Sequence, residues 1–271
     1  MEPLPDYNEL WRAAIEAGGR EKIDDPGAVW DRRAGAYDRA RGEEKGADEV
    51  SMMTIGPDDT VLDIGAGTGR LAVPMARAAR HVTALDPSGK MLAVLRRHME
   101  EAGLRNYTCM KARWEDVTPG VDIGPHTVVV AANALGFADL KRELEKIDAA
   151  ATRAAYLFWH AGEWREADER ELWRDVFGAE EERGGYPDYL FVVHVLHDLG
   201  IYANVTITGT ETVTPYPSPE AAAADWTRMH EPPAGKEEVV VEHFRKALEP
   251  DGNGGYVLVR RRRRAMVWWE K

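Results

Sequence analysis

From Thr60 onward the chain alternates compact apolar runs with longer stretches whose apolar residues recur every three or four positions. The runs "TVLDIG" (60–65), "HVTALD" (81–86), "NYTCMKA" (106–112), "HTVVVAAN" (126–133) and "AAYLFWH" (154–160) predict buried strands. Between them, "GRLAVPMARAA", "SGKMLAVLRRHMEEAG" and "DLKRELEKIDAAA" predict helices, the second ended by Gly103. Strands separated by helices of this length imply βαβ units and a parallel sheet covered on both faces. After His160 the alternation stops. "GEWREADERELWRDVFG" and "YPDYLFVVHVLHDLG" predict two successive helices, and "IYANVTITGTETVT" a long strand of period-2 polarity. Helical stretches at 218–230 and 235–248 lead to a last strand or hairpin, "GGYVLVRRRRRAMVWWE", whose alternation suits an antiparallel edge. Residues 5–20 and 28–50 read as helices with mixed faces.

The expected architecture is one α/β domain with a doubly wound, mostly parallel sheet. Residues 1–50 form an N-terminal helical cap and 51–160 the ligand-binding core. Residues 161–200 form a helical insertion on the substrate side, and 201–271 complete the sheet with antiparallel strands and helices.

The first strand runs into three glycines, Gly65, Gly67 and Gly69, in "VLDIGAGTGRLAVPMA" (61–76). Glycine permits positive φ and removes the Cβ that would keep a ligand from the backbone. The helix that follows offers unpaired N–H groups, which favour a carboxylate or a phosphate. A dinucleotide fold offers nearly the same loop. Asp86 closes the second strand 21 residues after Gly65, close to the spacing of about 20 expected for an acid that hydrogen-bonds a ribose diol. Together the two features predict an adenosine-containing ligand at the strand ends. Asp63 then discriminates. A carboxylate at the mouth of the loop repels a pyrophosphate but attracts an ammonium and a sulfonium, and the spacing is G-x-G-x-G rather than G-x-G-x-x-G. S-adenosylmethionine fits these charges; a nicotinamide dinucleotide fits them worse.

Composition narrows the partners. The formal net charge of −12 over 271 residues repels a polyanion unless a local basic patch overrides it. No run of about 18 uninterrupted apolar residues exists, so no membrane span is expected. The acidic start "MEPLPDYNELWRAA" lacks the pattern of a secretion signal. The single cysteine, Cys109, cannot form an internal disulfide and suits a reducing compartment. A cytoplasmic location is expected.

The segments "VLDIGAGTGRLAVPMA", "ALDPSGKMLAVLRR", "ARWEDV" and "TVVVAANALGF" resemble, in order and spacing, those of class I S-adenosylmethionine-dependent methyltransferases of the small-molecule type. The likeness covers about residues 60–160 and extends loosely to "WDRRAGAYDR", similar to a stretch ahead of the core in many such enzymes. It implies a Rossmann-like sheet of seven strands with the last antiparallel, and S-adenosyl-L-methionine as cofactor. By this resemblance Asp63 and the loop Gly65, Ala66, Gly67, Thr68 and Gly69 would hold the methionine part. Asp86 would take the ribose hydroxyls, Pro87 would shape the turn, and Met91 would lie against the adenine. Arg113 departs from the family's usual acid there, which moves that role to Glu115 or Asp116, with Trp114 packing on the ring. Asn133 would face the transferable methyl. Tyr37 would either close over the methionine carboxylate or pack the cap.

Methyl transfer needs chiefly a nucleophile held in line with the sulfonium methyl, with water excluded. "NALGF" (133–137) lacks the prolines of the [D/N]-P-P-[Y/F] motif that accompanies methylation of base amines. That favours a hydroxyl, carboxyl or carbon nucleophile on a small molecule. His160, directly after the fifth strand, and His194 and His197, three apart on one helical face, are candidate general bases. The latter two could instead pack beside Tyr189 and Tyr202; a metal site lacks a third ligand at a convincing spacing. The run Arg260–Arg264 reads as a salt-bridged edge, an acidic-partner site, or an RNA contact, in falling order of preference. Three alternatives stay open: an RNA or protein methyltransferase, a non-catalytic S-adenosylmethionine-binding protein, and, more distantly, a nicotinamide oxidoreductase.

Overall fold

A computed structural model describes residues 5–17, 25–40, 44–163, 165–178 and 187–271. Its elements are α1 (Tyr7–Ala17), α2 (Pro26–Ala40), α3 (Glu44–Ser51), β1 (Thr60–Ile64), α4 (Ala72–Ala78), β2 (His81–Asp86), α5 (Gly89–Glu101) and β3 (Tyr107–Lys111). After a 3-10 turn at Trp114–Asp116 come β4 (His126–Ala132), α6 (Leu140–Ala150), β5 (Ala151–His160), α7 (Ala167–Phe177) and α8 (Tyr189–Asp198). The chain finishes with β6 (Asn204–Tyr216), α9 (Pro219–His230), α10 (Glu237–Ala247), β7 (Glu249–Pro250) and β8 (Tyr256–Glu270).

The sheet order is β3-β2-β1-β4-β5-β8-β6, with β7 beside β8. Strands β1 to β5 are parallel, and β8 is antiparallel to both of its long neighbours. Order reverses between β1 and β4, which opens a crevice at their carboxyl ends. Apolar β1, β4 and β5 are buried on both sides, as a sheet with covered faces requires. One face packs Trp11 and Ile15 of α1, Leu144 and Ile147 of α6 and Val192, Val195 and Leu196 of α8. The other packs Val50 of α3, Met75 of α4 and Leu92, Leu95 and Met99 of α5. Each face buries a dozen or more large side chains, each worth about 1.5–3 kcal/mol against leaving it in water. Ser88, Asp139 and Ser218 cap α5, α6 and α9 by accepting from a backbone N–H in the first turn.

Three features refine the expected sheet and cap. The seven strands expected form the main path of the sheet, and the backbone ahead of Gly252 adds a two-residue β7 against Val257 and Tyr256. Of the strand or hairpin expected for the tail, the structure forms one 15-residue antiparallel strand. The helix expected over 28–50 is two, α2 and α3, with 41–43 outside the described residues. Trp164 also lies outside them.

One departure from a plain doubly wound sheet matters for the site. β5 pairs with β8 only from His160↔Arg264 to Ala154↔Glu270, whereas β6 continues along β8 to Tyr216↔Tyr256. The outer half of the β6–β8 pair therefore projects past the carboxyl end of β5 as a two-stranded ribbon. Such a ribbon is marginal alone. Helices α7, α9 and α10 cover it with a third, smaller core of Leu172, Val176, Ala222, Ala223, Val240 and Phe244. This helical module stands on the crevice side of the sheet.

Candidate functional site

β1 delivers the chain into its turn with Gly65 at φ +71° and Gly67 at +56°. Both are left-handed conformations that cost other residues about 1–2 kcal/mol. Gly65 is also enforced by space, since a Cβ there would stand 2.5 Å from the Cβ of Ala134. The N–H groups of Gly65 and Ala66 both donate to the carbonyl of Leu85, at 2.8 and 3.0 Å, tying the loop to the end of β2. The third glycine, Gly69, packs against Leu95 of α5. Buried Thr68 turns its carbonyl to His98 Nδ1 at 2.9 Å.

Asp86 joins the two halves of the site. Its Oδ2 accepts from the N–H of Gly67 at 2.9 Å and its Oδ1 from the N–H of Ser88 at 2.8 Å. Burial raises its pKa, only partly opposed by these two hydrogen bonds. Each carboxylate oxygen keeps a second lone pair for a ligand hydroxyl.

Asp63 ends β1 beneath the loop and is 2% exposed. Its Oδ2 has no hydrogen-bond partner among the described residues. Burial pushes its pKa up to about 7, Arg70 works in the opposite direction, and Asp86 adds to the rise. A buried, underpartnered carboxyl is costly in isolation and marks a place where a cationic ligand group would be welcome.

Helix α2 lies across this loop as a lid. Asp31 accepts from Ser88 Oγ at 2.5 Å and from the N–H of Lys90 at 2.9 Å, and these bonds hold its carboxyl below the usual range. Asp38 pairs with Arg97 at 2.8 Å. Gly27 sits so close to Pro87 that a Cβ would be 2.6 Å from its carbonyl oxygen. Residues 27, 31 and 38 thus face α5, and on the adjoining stripe of Trp30, Arg33 and Tyr37 it is Tyr37 that reaches the glycine loop. Tyr37 comes within 3.6 Å of where a Gly67 Cβ would stand, and its ring meets that of Trp30 edge-on at 5.7 Å.

Across the crevice, Asn133 follows β4 with φ +56°, a conformation asparagine tolerates better than most residues. Its N–H donates to Phe158, and its Oδ1 accepts from Arg264 Nη2 at 3.2 Å. Arg264 also pairs with Glu49 Oε1 at 2.8 Å, and Glu49 Oε2 pairs with Arg70 at 2.6 Å. This partly buried chain was not visible in the sequence, because Glu49, Arg70 and Arg264 are remote along it. The only signal was Arg70, immediately behind the third glycine. Three others of the arginine run pair with acids: Arg260 with Asp168 at 2.8 Å, Arg261 with Glu211 at 2.8 Å and Arg262 with Glu169 at 2.7 Å.

The remaining expected contributors are spread over the α6-side core, α5, the end of β5 and α8. Trp114 is 2% exposed within the α6-side core, with Lys146 over its ring at 4.9 Å, so its apolar faces are already covered. Glu115 pairs with Arg113 at 3.1 Å. Met91 is buried at the start of α5, its N–H bonded to Ser88. His160 ends β5 at the crevice, with Nδ1 on the carbonyl of Gly162 at 2.8 Å, and burial lowers its pKa. His194 and His197 do not join it. They lie on the exposed side of α8, where His194 stacks on Tyr7 at 3.9 Å and His197 meets Tyr202 edge-on at 5.7 Å. The buried side of that helix is taken by Val192, Val195 and Leu196.

Sheet order, glycine loop and the acid ending β2 together define a class, and the comparisons agree with it. Residues 61–155 match the family described as "Methyltransferase domain", and the chain shares the Rossmann-like fold of the solved structures it superposes on. The chain is 32% identical over 165 residues to an uncharacterized protein of Haemophilus influenzae, covering 60% of this chain and 58% of that one. It thus spans a little over half of that relative's length. Among solved structures, the YcgJ protein from Bacillus subtilis superposes with a TM-score of 0.56 at 13% identity, over 85% of this chain and 99% of the other. A Bacillus halodurans protein provisionally described as a methyltransferase gives 0.57 at 14% identity, over 84% and 99%. At these identities the similarity is one of fold. No helix among the described residues is long and apolar enough to cross a membrane.

Proposed function

We propose that the chain binds S-adenosyl-L-methionine and transfers its methyl group to a small-molecule nucleophile. The observation that carries this reading is the buried Asp63 carboxyl beneath the glycine loop, with Asp86 on the far side of the same loop. Asp63 attracts the ammonium and, at longer range, the sulfonium of the donor. The loop from Gly65 to Gly69 lets the methionine part approach the backbone, Asp86 takes the ribose hydroxyls, and Tyr37 closes from above. Asn133 and His160 flank the position of the reacting methyl. The protein's contribution is then alignment and exclusion of water, and the α2 lid with the helical module supplies both.

A small acceptor is favoured over RNA because Arg260, Arg261, Arg262 and Arg264 are paired with acids and the net charge is −12. Calorimetry with S-adenosylhomocysteine tests the cofactor, and transfer of labelled methyl from S-adenosylmethionine to a metabolite panel tests the acceptor. Absence of heat overturns the reading. Tight binding without any acceptor in the panel points instead to a non-catalytic binding protein. Salt-sensitive RNA retention on a filter would move the acceptor class to nucleic acid.

A further inference from the structure

The helical module carries a cluster that neither the sheet nor the glycine loop needs. Trp173 and Phe177 of α7 meet Trp226 and His230 of α9: Trp173 is 6.0 Å from Trp226 and 5.1 Å from His230, and Trp226 is 4.7 Å from His230. These rings are neither buried nor fully exposed, unlike the aliphatic side chains of the module's own core. Two guanidiniums border them. Arg165 lies over the Trp173 ring at 3.7 Å. Arg33, on the same stripe of the lid as Tyr37, lies over Trp30 at 5.7 Å. Both arginines act on His230, and with burial as the leading cause they push its imidazole down to about 4. His230 is therefore a neutral ring at pH 7.

Arg33 forms none of the ion pairs among the described residues. The acid that acts on it, Glu231, is paired with Arg32 at 3.7 Å. A half-buried guanidinium beside partly exposed indoles calls for an anion carried on a flat body: the fork matches planar oxyanions, and the rings offer stacking faces. Position points the same way. Arg33 stands one helical turn from Tyr37, which covers Gly67, so the cluster adjoins the loop rather than lying on a remote surface.

The geometry points to an acceptor subsite here that takes a planar-ring small molecule bearing a carboxylate or phosphate, with Arg33 on the anion and Trp226 and His230 on the ring. The assignment rests on the methyltransferase reading only for its use as an acceptor site. The binding itself does not depend on that reading.

Four probes decide it by calorimetry on the full chain, each with and without S-adenosylhomocysteine: 4-hydroxybenzoate, phenyl phosphate, and the neutral 4-hydroxybenzamide and phenol. The expected result is that at least one anion binds and its neutral counterpart is weaker by about tenfold or more, ~1.4 kcal/mol. The preferred anion identifies carboxylate or phosphate. Arg33→Gln should lose about tenfold in anion affinity, Arg33→Lys should keep part of it, and S-adenosylhomocysteine should bind all three forms alike. Thermal melts confirm that the variants are folded. Equal affinity for anion and neutral probe, no effect of Arg33→Gln, or no heat from any probe up to about 10 mM overturns the subsite. If S-adenosylhomocysteine gives no heat while the anion still binds through Arg33, the subsite stands and the cofactor reading falls.

Discussion

Arg264, near the middle of the last strand, donates from Nη2 to Oδ1 of Asn133 at 3.2 Å, 131 residues away. Its other terminal nitrogen reaches Glu49, which in turn holds Arg70 behind the glycine loop. The C-terminal strand, the N-terminal cap and both loops of the crevice are thereby joined through one chain of charge-assisted contacts. Arg264 and Glu49 are mostly buried, at 16% and 13% side-chain exposure, so the pair is less screened than a surface ion pair.

Replacing Arg264 by Gln leaves Glu49 with one cationic partner and Asn133 without its anchor. The variant should be destabilised by about 1–3 kcal/mol, read as a lower denaturant midpoint. A double-mutant cycle with Glu49→Gln should give a coupling of about 0.5–3 kcal/mol. Additivity would show that the contact does no more than fill space.

Asp63 makes stability and binding depend on pH in opposite senses. Its carboxyl titrates near 7 when folded, against 3.8 ordinarily, so the ligand-free folded state binds the extra proton. Stability from this group is full below about pH 4 and falls as pH rises to about 7. Asp63→Asn should flatten that part of the stability profile. A cationic amino acid moiety prefers the ionised form, so affinity for S-adenosylhomocysteine should rise from pH 6 to 8 in the parent and stay level in the variant. A level parent profile would remove Asp63 from the site.

Asp86→Ala leaves the N–H groups of Gly67 and Ser88 without their acceptor, at about 1–3 kcal/mol each if they stay dry. Binding should fall by about 100-fold or more, ~2.7 kcal/mol, in a titration with S-adenosylhomocysteine. Unchanged affinity would refute the assignment of the ribose to this acid.

Gly65→Ala combines a left-handed φ with a Cβ placed 2.5 Å from that of Ala134. A loss of about 2–4 kcal/mol is expected from strain and overpacking together. Because Ala134 adjoins Asn133, nucleoside binding should weaken beyond what stability alone explains. Gly103→Ala has a similar φ but nothing within 4 Å, and should cost stability without touching affinity.

The double variant His194→Gln/His197→Gln should leave the melting midpoint within about 0.5 kcal/mol of the parent's and methyl transfer at the parent's rate. A large fall in turnover would return these exposed side chains to the chemistry.

Period and turn residues determined the parallel core, the glycine loop and its two acids, because each is a local property: an apolar run buries itself on both faces, and a left-handed turn demands glycine within a few residues of the strand. That Asp63 and Asp86 share one loop also followed from spacing, since consecutive parallel strands end side by side. What the tertiary structure decided depends on contacts between distant segments. Trp114 looked like an aromatic for a ligand, yet the close approach of α6 covers it with Lys146. Five arginines in a row looked like one patch, yet alternation sets Arg260, Arg262 and Arg264 on one face of β8, and because β5 stops opposite Arg264, Arg264 meets Asn133 and Glu49 while Arg260 meets Asp168 of α7. The lid on Ser88 and the ring cluster between α7 and α9 had no local sign at all, because an isolated helix does not encode which of its faces will meet a segment more than fifty residues later.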